Sequence, residues 1–307
     1  MLIDINGYPV SVVLDSLVKD KTTGKNIILA TTARTKRGKL LSETTQITEG
    51  LLRTLGADLI QPRVSKSLEK QAARTREKAE VFTPSWICNK MNNHCDAEWF
   101  GRENVFNKEY GQTWEPTTKP IKFKNAEDWQ KYVDSKRLEI TCGEAPYIVS
   151  RYDTTTAEII PINRRIGILD RKLRVVNENA TDKKVWLEWA YRAFQSVYGY
   201  EFQGDNLLIA RINLLVTFVD YMRDRWERTP TVSELKKVTN IIVWNFWQMD
   251  GITGTVPFGK PKEDERPLDM FDYTVGINDT EPEEMACKIF DWRRRATLTY
   301  RSIKEGK

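Results

Sequence analysis

One stretch constrains the fold more than any other: Arg137-Leu138-Glu139-Ile140-Thr141-Cys142-Gly143-Glu144-Ala145-Pro146-Tyr147-Ile148. A short apolar segment enters a turn of small residues, and a second apolar segment follows. The pattern predicts a strand ending in a loop where a ligand lies close to the backbone. Gly143 removes the Cβ that would block such an approach. A second stretch, Ser196-Val197-Tyr198-Gly199-Tyr200-Glu201, reads as a strand ending in a carboxylate. In nucleotide-binding α/β folds, an acid at such a strand end accepts hydrogen bonds from ribose hydroxyls. Two such strand ends side by side would frame a cofactor cleft.

The surrounding pattern predicts alternating strands and helices. Leu169, Leu173 and Val176 share one face of a helix over 166–179, and 185–194 reads as a second helix. Asp205-Asn206 is read as the cap of a longer helix, with Leu207, Leu208, Leu214, Leu215, Phe218 and Met222 on the helical period. This order argues for βαβ units and a mainly parallel sheet. Ile241 to Trp247 fits helix or strand equally well, and Asp250-Gly251 marks a turn. Residues 257–284 are polar and rich in Pro, Asp and Glu, as in a loop, and a short strand with a basic end follows from Cys287 to Arg295.

Before the central strand the signals are more mixed. A helix is expected over 10–18 and a strand over 26–31, within a small N-terminal segment of residues 1–60. Lys25, Lys36, Arg37 and Lys39 form a solvated face or a phosphate contact. Pro84 suits the first turn of a helix with Thr83 as its N-cap. Residues 96–136 show little periodicity and read as a surface insertion with a short helix near 126–133.

Composition narrows the classes. The chain of 307 residues is 40% apolar and carries a net charge of +5, which permits a nucleic-acid partner without demanding one. Its ten tryptophans suit core packing or stacking on bases. The four cysteines show no CxxC pair, and no apolar run approaches the roughly 20 residues needed to span a bilayer. The Met1-Leu2-Ile3-Asp4 start does not read as a signal peptide, so a cytoplasmic protein is expected. Cys88, His94 and Cys95 supply at most three of the four ligands of a structural zinc site, so no metal is expected.

These pieces resemble the amino-group DNA methyltransferases that use S-adenosylmethionine, in particular the modification subunits of restriction systems. The likeness lies in motif order over roughly residues 62–295. Glu80-Val81-Phe82-Thr83-Pro84 looks like the family's leading cofactor motif, which helps hold the methionine end of the cofactor. Leu138 to Ile148 aligns without a gap on the glycine-rich motif Leu-Asp-Pro-Ala-Cys-Gly-Thr-Gly-Ala-Phe-Leu; Cys142 and Gly143 match directly and Glu139 stands for the Asp. Ile140 replaces the Pro, and Ala145 the second Gly. Tyr198-Gly199-Tyr200-Glu201 resembles the motif whose acid binds ribose, and Gln248-Met249-Asp250-Gly251 the one whose Asp bonds the adenine amino group. The resemblance implies a Rossmann-like α/β domain over 61–307. It also implies cofactor contacts from Phe82, Thr83, Pro84, Glu139, Thr141, Cys142, Gly143, Glu144, Ala145, Glu201 and Asp250.

The family's catalytic signature, Asn/Asp-Pro-Pro-Tyr/Phe, does not occur in this chain. Its acid or amide accepts the target amino protons while its ring stacks on the flipped base. Asp291-Trp292 is the expected substitute, with Asn245 and Trp247 as runners-up. Either pair also fits a purely structural role. The basic run Arg63, Lys66, Lys70, Arg74 and Arg76 is the expected contact to double-stranded DNA. Little chain follows Asp291, so further DNA reading falls to residues 1–80, the 96–136 insertion, or a specificity or second methyltransferase subunit. Three functions remain open: an adenine-N6 methyltransferase in restriction-modification or phage defence, a non-catalytic cofactor- or DNA-binding subunit, and a basic nucleic-acid-binding module.

Overall fold

The computed structural model describes residues 2–34, 38, 40–78, 80–258 and 285–304. Lys36, Arg37, Lys39 and most of the expected 257–284 loop lie outside them.

Helix α1 (Val10–Leu17) buries Val10, Val13, Leu14 and Leu17. The run expected as a strand at 26–31 exchanges backbone hydrogen bonds with residues 43–47, yet forms only the isolated bridges Lys19–Asn26 and Ile28–Gln46. A short hairpin, β1 (Ala33–Arg34) and β2 (Leu40–Leu41), precedes α2 (Glu49–Leu59). The Thr48 side chain caps α2 by accepting from Leu51 N. A 3-10 turn at Arg63–Ser65 leads into the polar helix α3 (Leu68–Lys78).

Helix α4 (Ser85–Phe100) departs from expectation at both ends. Its N-cap is Pro84, not Thr83, and the free Ser85 N–H donates to Asp153 Oδ2 at 2.7 Å. Gly101 ends it in the left-handed conformation, well inside the expected insertion. An antiparallel hairpin, β3 (Asn107–Tyr110) with β4 (Thr113–Pro116), then α5 (Asp128–Asp134), completes that region.

The second half carries the central sheet: β5 (Arg137–Glu139), α6 (Ile168–Asn179), α7 (Lys183–Gln195), β6 (Val197–Glu201), α8 (Gly204–Trp226), α9 (Val232–Asn245) and β7 (Phe246–Gln248). The strands pair in parallel in the order β5–β6–β7, aligning Arg137 with Val197 and Gly199 with Phe246. The architecture is mixed α/β with a small parallel sheet and many helices. Gly199 permits the close packing at its centre: a Cβ there would lie 2.7 Å from the Phe246 ring and 3.2 Å from Cys142 Cβ. The ambiguous 241–247 run divides at Asn245. Its amide donates to Phe194 O and Val197 O, while Arg211 holds Phe246 O, so the helix stops and a strand begins. Asp205 is not the cap of α8, whose N-cap is Gln203. The chain closes with the hairpin β8 (Lys288–Asp291) and β9 (Ala296–Thr299) and the helix α10 (Tyr300–Lys304).

One continuous apolar core joins Ile3, Leu17, Leu29 and Ile47 to the residues of α6 through α9. The first 60 residues therefore fold onto the main body. Buried Arg211 fastens them, donating to Leu17 O and Lys19 O as well as to Phe246 O. Among the described residues, no helix is long and apolar enough to cross a membrane.

Candidate functional site at the strand ends

Parallel pairing places the exits of β5 and β6 side by side, and the two stretches singled out in the sequence meet there. In the loop after β5, Thr141, Gly143 and Ala145 have positive φ while their neighbours do not. Such alternation turns backbone N–H groups toward one point. Gly143 N donates to Glu201 Oε2 at 2.8 Å, and Gln203 N donates to Glu201 Oε1 at 3.0 Å. The Phe82 ring lies over the loop, 3.5 Å from where a Gly143 Cβ would stand. Glu139 is partly buried beside them with its carboxyl turned inward; its Oε1 accepts from Tyr147 N at 3.4 Å, while the enclosed Oε2 has no partner among the described residues. Burial pushes the Glu139 carboxyl well above its ordinary range, and burial also raises Glu201.

A layer of charge covers this loop. Glu144 accepts from Arg63 N at 2.6 Å and from the Tyr152 hydroxyl, and burial raises its pKa to about 7 against those hydrogen bonds. Arg74 bonds both Glu80 and Asp205, and Lys66 reaches Asp205 at 3.2 Å. Burial would raise Asp205, but Lys66 and Arg74 hold it below the usual carboxylate range. Three of the five residues expected on DNA are therefore spent inside the protein. The side chains of Arg63, Lys66 and Arg74 are 18%, 7% and 15% exposed. The reason is electrostatic: buried Glu80 and Asp205 need counter-charges. Lys70 and Arg76 remain exposed. A cavity of about 240 Å³ lies behind Lys66 and Arg74, floored by Leu29 and Leu41.

The other expected contacts divide. Cys142 is buried, and its N–H donates to Tyr200 O at 2.8 Å. Thr141 is exposed and its hydroxyl turns to Ile140 O; the Ala145 side chain is buried in the core. Thr83 O accepts from Thr154 Oγ1. Asp250 follows β7 and caps its own turn, accepting from Ile252 N at 2.8 Å. Glu80, Tyr152 and Asp205 complete the site without having been assigned to it from sequence. Glu80 opens the Phe-Thr-Pro stretch and Asp205 was read as a cap, whereas nothing in the sequence around Tyr152 marks it.

The expected catalytic pair lies elsewhere. Asp291 sits 3.6 Å from Lys136, which precedes β5, and its Oδ1 accepts from Arg293 N. Trp292 Nε1 donates to Asn245 Oδ1 at 2.7 Å, and Asn245 precedes β7. Both therefore stand at the entry end of the parallel strands, opposite Gly143 and Glu201. Trp247 is enclosed by Tyr200 and Tyr300, with its indole N–H on Met249 Sδ. The two pairs act here as packing and strand-end fasteners. Of the sulfur and imidazole groups, Cys88 is buried while His94 and Cys95 are exposed.

No protein-family model, curated protein or solved structure matches this chain.

What the strand-end arrangement can do follows from its charge. Four buried acids, Glu80, Glu144, Glu201 and Asp205, together with the partly buried Glu139, outnumber the three bases Arg63, Lys66 and Arg74. The loop N–H that would hold a phosphate already holds the Glu201 carboxylate. Phosphate is disfavoured here by both charge and donor supply. A cation is favoured, because it would draw the raised carboxyls back to their charged form.

Proposed function

We propose that the strand-end site binds S-adenosylmethionine and that the protein transfers its methyl group to a DNA base amino group, adenine N6, on a Rossmann-like methyltransferase fold. One observation carries the reading: the carboxylate ending β6 sits on the N–H of the glycine loop ending β5, among acids that outnumber the bases around them. The cofactor is a cation without phosphate, and such acid-rich surroundings suit it better than a dinucleotide. The residues fit the group. Unpartnered Glu139 Oε2 is an acceptor for an ammonium, Glu201 for ribose hydroxyls, and Phe82 and Gly143 form an apolar wall and a close backbone surface. When bound, the group supplies an electrophilic methyl on a sulfonium. The protein's part is then to orient, exclude water and place acceptors.

A second reading, a cofactor-binding subunit without transfer of its own, is favoured by the position of Asp291 and Trp292 at the opposite end of the strands. Isotope-labelled methyl transfer separates the two. Label entering DNA supports the enzyme. Cofactor binding without label, with any partner subunit supplied, supports the subunit. Neither binding nor transfer overturns both.

A further inference from the structure

A cleft of about 690 Å³ opens beside the cofactor site, between the start of α4, the β3–β4 hairpin and the loop 153–164. Trp86 lines it from α4 and Trp114 from the hairpin, both half-buried. A half-exposed indole is a large apolar surface left uncovered, and two lining one cleft call for a flat ligand. Trp114 is held rigidly. Its indole N–H donates to Arg164 O at 2.8 Å, Arg164 donates back to Trp114 O at 3.0 Å, and the guanidinium lies 5.6 Å from the ring centroid. Arg164 also donates to Thr113 Oγ1 and, among the described residues, to no carboxylate. Asp153 lines the same cleft, but its oxygens already accept from Ser85, Thr155 and Thr156.

We propose that one nucleobase, unstacked from a DNA strand, stacks on Trp86 and Trp114 in this cleft with its phosphate on Arg164. The charge selects a single nucleotide over a duplex backbone. Arg164, the one cation among the described residues lining the cleft, stands near Asp153 and Glu158 and makes a poor phosphate track but a sufficient contact for one phosphate. Chain continuity ties the cleft to the proposed cofactor site, since Phe82 rests on the Gly143 loop and Pro84, two residues later, lines the cleft. The inference rests on the DNA reading above and adds to it the surface that takes the base.

The test uses the full chain, a single-stranded oligonucleotide carrying 2-aminopurine, and its fluorescence quenching as the binding signal. Trp86→Ala and Trp114→Ala should each weaken binding by about 5- to 150-fold. Trp86→Phe should keep most of the affinity, and Tyr110→Ala, on an exposed ring of the same hairpin, should change nothing. The melting point of each variant, with and without S-adenosylmethionine, confirms folding and reads the cofactor site separately. Losses in both alanine variants with the cofactor shift intact support the cleft. Trp-dependent oligonucleotide binding without any cofactor shift also supports the cleft, and removes the methyltransferase reading instead. Absence of wild-type binding, or wild-type affinity in either alanine variant, overturns the proposal.

Discussion

Arg74 shows how a residue's chemistry is set by what folds around it. In the sequence it is one of five bases in a run, and in the structure it neutralises Glu80 and Asp205. Arg74→Ala should cost about 1–3 kcal/mol in a denaturant melt, because it takes a charged hydrogen-bond donor from two buried carboxylates and leaves Glu80 with Arg63 and Asp205 with Lys66. Arg76→Ala, at an exposed position, should stay within about 0.5 kcal/mol. Charge density along the chain was legible; its direction was not, since the partner acids lie at positions 80 and 205. Glu144 gives a second check. Its folded pKa of about 7 lies above the ordinary 4.5, so the folded state binds the extra proton between those values. Glu144 therefore favours folding below about pH 4.5 and withdraws that stability as pH rises through 7. Stability measured across that window should fall less steeply in Glu144→Gln than in the wild type.

Elements were legible where local pattern and pairing agreed. β5 and β6 each combine an apolar run with a marked end, and both form. The β3–β4 hairpin was missed because Asn-Lys-Glu-Tyr and Thr-Trp-Glu-Pro show no apolar alternation. Asp291 and Trp292 stand away from the glycine loop for a topological reason. Order along the chain says nothing about which end of a sheet a later strand returns to, and β8 returns Asp291 to the entry end. At Gly199, β6 lies close against the Phe246 ring and Cys142. Gly199→Ala should destabilise by about 1–3 kcal/mol through overpacking, read as a lowered melting point.

At the scale of the molecule, the parallel sheet was legible as alternation, while its three-strand size and the union of residues 1–60 with the main core were not. Both depend on long-range contacts, such as Arg211 with Leu17 O, that leave no periodic trace. The same organisation sets the central question, because the layer from Arg63 to Phe82 lies over the glycine loop and any ligand entering must share that space with it. Titration calorimetry of S-adenosylmethionine into the full chain and into Glu201→Gln asks it directly. Saturable heat from the wild type, with affinity at least about tenfold lower in the variant, is expected. No heat from the wild type, or equal affinity in the two proteins, would contradict a cofactor gripped between Gly143 and Glu201.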